Sequence, residues 1–221
     1  MSAPAVAAFK PFNRSQMAQR AAADIPEGWY VNLGIGIPTL IADYVAIDRE
    51  VIFHSENGVI GAGPAPAPDQ VNPYLLNAGT QHITLRTGGS FVHHADSFAI
   101  ARGGHLDLCV LGAFEVAENG DIANWARSPD EQVKQVGGAM DLAIGAKRLW
   151  VAMEHITKGH GGSRIRRACT YPLTAKAVVR RVYTDLAVLE VTPRGFLVLD
   201  MVDGMTREAL QERSEAELHW T

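Results

Sequence analysis

The chain has 221 residues, of which 47% are hydrophobic, and this suits one domain with a sizeable apolar core. Its 20 Lys and Arg residues face 24 Asp and Glu residues, and a formal net charge of -4 does not favour a nucleic-acid or polyanion binder. Two isolated cysteines and no apolar run near the roughly 20 residues that span a bilayer predict a cytoplasmic protein without disulfides or membrane contact.

Apolar runs and turn residues predict strands that alternate with helices. Strands are predicted over residues 29–33, 51–53, 83–85, 106–111, 148–153 and 186–191. Helices are predicted over residues 13–24, 38–45, 97–101, 138–145 and 206–217. Pro193, Arg194 and Gly195 predict a hairpin turn between the last two apolar runs. The alternation indicates a single α/β domain around a largely parallel sheet.

Two stretches and one cysteine need separate interpretation. Residues 1–12 are small and proline-bearing, so we expect a flexible arm before a domain that covers residues 13–221. Residues 61–73 form a long loop rich in Gly, Pro and Ala, a kind of loop that is usually functional or mobile. Cys109 lies inside an apolar run, which predicts a small buried side chain rather than a nucleophile.

Glu56 is the most informative candidate for chemistry. It directly follows an apolar strand, in a Glu-x-Gly-x-x-Gly pattern with Gly58 and Gly61. In open α/β sheets, ligands gather outside the carboxyl ends of the strands, where this side chain is expected to project. The two glycines are expected to let the backbone approach a bulky substrate. A carboxylate here can be a nucleophile, a base, a metal ligand or a hydrogen-bonded turn residue, and the spacing leaves all four open.

Glycine motifs elsewhere are less specific. Gly137 and Gly138 open a predicted helix, so their amides can face an anion or an oxyanion, although a plain tight turn fits equally well. Gly34 and Gly36 follow a strand, but Thr39 stands where a dinucleotide-binding motif requires its third glycine. The sequence therefore argues against a Rossmann site.

The histidines do not have the spacing of a metal site. His93, His94, Asp96 and His105 are close in sequence, but no His-Glu-x-x-His pattern occurs. A Gly-x-Ser-x-Gly nucleophile elbow is also absent, which argues against a serine hydrolase. We expect no bound metal and ordinary polar roles for these histidines.

Six motifs follow one another in order along the chain. They are VNLGIGIP at residues 31–38, SENG at 55–58, NAG at 77–79, RGGH at 102–105, GDIANW at 120–125 and GGAMD at 137–141. Together they resemble the β subunit of family I CoA-transferases, over about residues 12–210. The resemblance implies the CoA-transferase (NagB/RpiA-like) architecture and transfer of CoA from succinyl-CoA to a 3-oxo acid.

The resemblance also implies partners and an acceptor. In this family a separate α subunit completes the active site, so we expect an α2β2 assembly, inactivity of the chain alone, CoA thioesters as substrates and no cofactor. Residues 91–98, 105–114 and the segment between Trp125 and Gly137 favour members that use 3-oxoadipate. Acetoacetate as acceptor, a non-catalytic assembly role, and a sugar-phosphate isomerase or CoA hydrolase on the same scaffold remain alternatives.

Individual residues take roles from the same resemblance. The catalytic glutamate falls on Glu56, the backbone amide of the oxyanion hole on Gly138, and an active-site asparagine on Asn32. Contacts with CoA fall on Asn57, Gly79 and Thr80.

Thr80 departs from the pattern of the family. Many relatives have a lysine near CoA at this position, and threonine cannot supply its charge. Arg164, Arg166 or Arg167, in the most basic stretch of the chain, are candidates to replace it.

Overall fold

The computed structural model describes residues 9–128, 136–159 and 161–220. The strands in these residues are β1 (Tyr30–Leu33), β2 (Ile52–Ser55), β3 (Val59–Ala62), β4 (Leu85–Phe91), β5 (Leu108–Leu111), β6 (Glu115–Ala117), β7 (Ile122–Ala123), β8 (Leu149–Ala152), β9 (Ile165–Arg166), β10 (Val179–Tyr183), β11 (Ala187–Thr192), β12 (Gly195–Met201) and β13 (Leu218–Trp220). The α-helices are α1 (Arg14–Asp24), α2 (His94–Arg102), α3 (Ala139–Gly145) and α4 (Arg207–Gln211), and 3-10 helices cover Pro38–Asp43 and Pro68–Gln70.

A ten-stranded sheet with the order β13-β12-β11-β10-β8-β5-β1-β2-β3-β4 carries the fold. Its five central strands, β10, β8, β5, β1 and β2, are parallel to one another. Antiparallel hairpins extend the sheet on both sides, and a second sheet has the order β7-β6-β9. This architecture confirms the predicted α/β fold with a largely parallel sheet in one domain.

Both faces of the central strands are covered by apolar side chains. In β8, Leu149 and Val151 join one core cluster, while Trp150 and Ala152 join the cluster that also contains residues of α1. A strand that is buried on both faces has no polar alternation, which explains its continuous apolar sequence. Cys109 in β5 is fully buried, as predicted.

Local signals at the first helix and the last hairpin are confirmed. Asn13 caps α1, with its side chain accepting a hydrogen bond from the backbone N–H of Gln16 in a capping box. β11 and β12 pair in antiparallel fashion across the predicted turn.

Two predicted helices are wrong in type or length. The helix predicted over residues 38–45 is a 3-10 helix over Pro38–Asp43. The helix predicted over residues 206–217 ends at Gln211, whose side chain donates to the carbonyl of Ala216 and accepts from the N–H of Leu218. Leu218 then begins β13 beside β12, so pairing at the sheet edge overrides the helical pattern.

The predicted arm is only partly described. Residues 1–8 lie outside the described residues, and Phe9 and Phe12 pack against the core. The boundary at residue 12 therefore stays a prediction. In the described part of the chain, no helix is both long and apolar enough to span a bilayer.

A buried histidine joins the end of β8 to two later segments. His155 has no solvent exposure, and its ring nitrogens lie 3.0 Å from Oγ1 of Thr184 and 2.9 Å from Oγ of Ser214. Burial, with a smaller contribution from Arg213, lowers its pKa from the usual 6.5 to about 4. The fold therefore contains a neutral imidazole at neutral pH.

We predict that His155 makes the protein sensitive to acid. Between pH 6.5 and 4 the unfolded chain binds a proton at this ring and the folded chain does not. The stabilising contribution, on the order of 3 kcal/mol, is fully present above pH 6.5 and is lost as the pH falls toward 4. Urea unfolding of the wild type and of His155→Gln across this range measures the difference, and identical pH slopes for the two proteins would contradict it.

Candidate active site

An open cleft of about 510 Å³ lies at the carboxyl ends of the central parallel strands. Its walls include the residues that follow β1, β5 and β8, together with Glu56 after β2 and the start of α3. Parallel strands end at one edge of the sheet, so residues far apart in sequence meet there. Glu56 therefore lies where its position after an apolar strand predicts.

A tight turn after β2 carries Glu56. The N–H of Gly58 donates to the carbonyl of Ser55 at 2.9 Å, and Gly58 has φ +110°. A Cβ on Gly58 would lie 2.3 Å from the carbonyl oxygen of Val92, and one on Gly61 would lie 2.9 Å from Cα of Gly89. These two glycines therefore allow the backbone of β4 and of Val92, which follows it, to pack closely against this turn. Our expectation that they make room for a substrate is wrong.

The carboxyl group of Glu56 is half-buried. Burial raises its pKa above the usual value, and the charge of the nearby His94 opposes this shift. A carboxylate that has lost part of its water is held in the charged form less strongly than one at the surface. The site thus holds a poorly solvated carboxyl group in an open cleft.

Gly138 lies against Glu56. It is the N-cap residue of α3, with φ -80° and ψ 0°, a conformation open to any residue. A Cβ added there would lie 2.6 Å from Oε2 of Glu56 and 2.7 Å from Cζ of Phe98. A methyl group at this position would therefore force the ends of the Glu56 and Phe98 side chains to shift, although the backbone angles suit any residue. The structure brings the two predicted residues together across 82 positions of sequence.

A buried polar network lies directly behind the Glu56 turn. Nδ2 of Asn32 lies 3.0 Å from Nδ1 of His54 and donates to the carbonyl of His54 at 3.2 Å. Nε2 of His54 lies 2.8 Å from Oγ of Ser97, which donates to the carbonyl of Ser55 at 3.5 Å. These contacts indicate a His54 that accepts at Nδ1 and donates from Nε2–H.

Burial favours the neutral form of His54, and the side-chain amide nitrogen of Asn32 contacts His54 twice. Burial lowers the pKa of His54, and its hydrogen bond with Ser97 opposes the shift. Asn32 lines the cleft but is only 2% exposed. Its amide therefore supports His54 in the neighbouring strand, β2, while Ser97 contacts the peptide that precedes Glu56.

Sequence reasoning missed His54, Ser97 and Phe98. An imidazole at the end of the apolar strand β2 was the available signal, because a polar side chain in a buried strand needs partners. Its partners come from β1 and α2, and nothing in the local sequence identifies them. Within residues 9–128, 136–159 and 161–220, no three His, Cys, Asp or Glu side chains are arranged to hold a metal ion.

The residues predicted to contact CoA are neighbours in sequence of Glu56 and Ala78, which line the cleft, but do not line it themselves. Asn57 is exposed, and its side chain donates to the carbonyl of Leu76 at 2.8 Å. Gly79 and Thr80 belong to a turn in which Thr80 has φ +63°. The N–H of Ala78 donates to Oγ of Ser55, which fixes this turn next to β2.

The three arginines of the basic stretch have different surroundings. Arg164 lines the cleft. Arg166 is paired with Glu115 at 3.4 Å and with Glu215 at 2.5 Å. Arg167 is exposed, so only Arg164 combines a position on the cleft wall with a partly buried side chain.

Comparison with known proteins agrees with the fold and the motifs. The family model for coenzyme A transferase matches residues 15–213. The β subunit of a 3-oxoadipate CoA-transferase from Pseudomonas putida is 56% identical over 205 residues, which are 93% of this chain and 95% of that protein. The β subunit of a succinyl-CoA:3-ketoacid coenzyme A transferase from Helicobacter pylori is 46% identical over 204 residues, which are 92% and 97% of the two chains.

A solved structure shares the fold at low sequence identity. The acyl-CoA transferase apoenzyme from Escherichia coli O157:H7 matches 97% of this chain and 43% of its own, with a TM-score of 0.74 and 17% identity. The matches to relatives confirm the resemblance that the six motifs carry. Because both the family match and the closely similar relatives extend over nearly all of its length, the chain belongs to the coenzyme A transferase family.

Proposed function

We propose that this chain is the β subunit of a CoA-transferase that moves CoA from succinyl-CoA to 3-oxoadipate, with Glu56 as the covalent carrier. The observation that carries this proposal is the half-buried Glu56 carboxyl group against the start of α3 in the open cleft. The acceptor is supported by a relative named as a 3-oxoadipate CoA-transferase at 56% identity. Acetoacetate is the second candidate, because relatives named for 3-ketoacids are 46% identical.

The proposed reaction conserves the energy of the thioester by passing through the enzyme. Glu56 attacks the succinyl-CoA carbonyl, and CoA leaves as a thiolate while a mixed anhydride forms. The thiolate then attacks the glutamyl carbonyl, which releases succinate and leaves a glutamyl-CoA thioester. The carboxylate of the 3-oxo acid repeats these two steps in reverse and restores Glu56. Covalent catalysis divides one difficult exchange into easier steps.

Glu56 is a weak nucleophile, so the site must stabilise a succession of tetrahedral oxyanions. The backbone N–H of Gly138 is our candidate donor, because this residue lies against the reacting carboxyl group. Removing one oxyanion donor commonly reduces kcat by about 100-fold to 1000-fold. In this proposal Asn32 acts through His54 and Ser97, which hold the peptide before Glu56 in place.

The other expected components are a partner chain and the CoA contacts. The similar relatives are named as one subunit of an enzyme with more than one kind of subunit, and we propose an α2β2 complex with an α subunit. Asn57, Gly79 and Thr80, next to the cleft residues Glu56 and Ala78, are the proposed CoA contacts. The loop after β3, which includes most of residues 61–73, is a candidate cover that excludes water from the anhydride. CoA thioesters are substrates here, and no cofactor is proposed.

We predict that Glu56→Gln abolishes transfer by the α2β2 complex. Glutamine keeps the shape of the side chain but cannot attack a thioester, so kcat falls on the order of 10⁴-fold or more. Glu217→Gln, which changes an exposed glutamate, is the matched control and stays active. The assay is transfer from succinyl-CoA, with kcat/KM expected to be higher for 3-oxoadipate than for acetoacetate. A fully active Glu56→Gln complex would exclude Glu56 as the carrier.

We predict that Gly138→Ala reduces kcat by about 100-fold, because the new methyl group displaces the Glu56 carboxyl group by steric overlap. Gly112→Ala is the matched control. It also places a methyl group in the cleft, but the nearest atom is the carbonyl oxygen of Ile35 at 3.8 Å. Steady-state kinetics of both complexes measure the effect, and equal activities would show that the contact at Gly138 does not position Glu56.

A further inference from the structure

The cleft wall across the sheet from Glu56 carries an excess of positive charge. Glu154, which follows β8, lies 2.7 Å from Nζ of Lys158, 3.7 Å from Arg164 and 3.9 Å from Arg14. Burial raises the pKa of Asp185, which accepts a hydrogen bond from the N–H of His155 and is also influenced by the charges of Glu154 and Arg164. In this part of the described structure, three cations thus face two carboxyl groups, and Arg14, Glu154 and Arg164 of this group line the cleft.

Arg164 is the most enclosed cation of this group. Its side chain is 15% exposed, against 65% for Arg14 and 79% for Lys158. Its 3.7 Å distance to Glu154 is longer than the roughly 2.7–3.2 Å of a hydrogen bond, whereas Lys158 holds Glu154 at 2.7 Å. The guanidinium group of Arg164 therefore keeps capacity for another acceptor.

The backbone of Arg164 is fixed on both sides. Its N–H donates to the carbonyl of His155 at 2.9 Å, and its carbonyl accepts from the N–H of Val116 at 3.0 Å. The next residue, Ile165, is fully buried in β9. A binding group on such a support is positioned before the ligand arrives, which limits the entropy lost on binding.

The width of the cleft suits a small diacid. β2 and β8 are three strand spacings apart, so Glu56 and Glu154 are separated by roughly 14 Å across the sheet. A four- to six-carbon diacid, with C–C bonds of about 1.5 Å, covers roughly half of that distance. The side chains of Glu56 and Arg164, which both line the cleft, are long enough to cover the remainder.

We propose that Arg164 binds the free carboxylate of a dicarboxylic acyl group while the other carboxyl group reacts at Glu56. The proposal rests on the proposed function and adds a residue that selects dicarboxylic over monocarboxylic acids. A planar guanidinium group binds a carboxylate through two parallel hydrogen bonds, which a methyl group at the end of a monocarboxylic acid cannot form. The anionic phosphates of CoA share this chemistry, so the test must separate the two sources.

The test compares Arg164→Met with the wild type in the α2β2 complex, using 3-oxoadipate and acetoacetate as acceptors. Because the enzyme is charged with CoA before the acceptor binds, kcat/KM for each acceptor reports only the second half of the reaction. We expect the ratio of kcat/KM for 3-oxoadipate to that for acetoacetate to fall roughly 10-fold to 100-fold, since a charged hydrogen-bond pair is lost. Arg164→Lys keeps the positive charge but cannot form two parallel hydrogen bonds, so its ratio is expected to lie between those of the wild type and Arg164→Met.

Arg167→Met is the matched control, since it removes an exposed arginine of the same stretch and should leave the ratio unchanged. An unchanged ratio in both Arg164 variants would overturn the proposal. If kcat/KM for acetoacetyl-CoA, which carries the phosphates of CoA without a free carboxylate, fell as far as kcat/KM for succinyl-CoA, the bound anion would be a phosphate of CoA, which also overturns the proposal. Trapping of the glutamyl-CoA thioester on Glu56 with hydroxylamine in the same preparations shows separately whether the proposed covalent reaction occurs.

Discussion

The contact between the Glu56 carboxyl group and Gly138 constrains the rest of the site. Oε2 of Glu56 lies so near the start of α3 that a Cβ on Gly138 would overlap it and the carboxyl group would have to shift. Phe98 of α2 closes the same space from another side. The buried contacts of His54 with Asn32 and Ser97 then tie β1, β2 and α2 together behind Glu56. A small shift of these elements relative to one another would therefore move the Glu56 carboxyl group relative to α3.

Features that depend on neighbouring residues were predicted from the sequence. The Asn13 cap, the turn at Pro193, Arg194 and Gly195, and the apolar strands of the central sheet each follow from a few adjacent residues. Glu56 was also predicted on local grounds, because a side chain just after a parallel strand projects into the ligand-binding edge of the sheet. The role of the Gly138 amide in the oxyanion hole was predicted from the family resemblance, whereas the local sequence fitted a plain tight turn equally well.

Features that depend on distant partners were not predicted. Gly58 and Gly61 make room for the neighbouring backbone around β4. The final helix ends early because the following residues form β13, which pairs with the edge of β12. His54 finds its partners 22 residues before it and 43 residues after it. Three basic residues in one stretch differ in role only because β9 turns Arg166 toward Glu115 and leaves Arg164 on the cleft wall. Spacing along the chain carries none of this information.

The most direct measurement is chemical trapping of the covalent intermediate on Glu56. The complex of this chain with its partner subunit is incubated with succinyl-CoA in the absence of acceptor, treated with hydroxylamine, and digested for peptide mass spectrometry. The account predicts a hydroxamate on the Glu56 side chain. The hydroxamate is expected to be lost when excess 3-oxoadipate is added before hydroxylamine, and to be absent in Glu56→Gln. An active complex that transfers CoA while Glu56 stays unmodified would contradict the central claim.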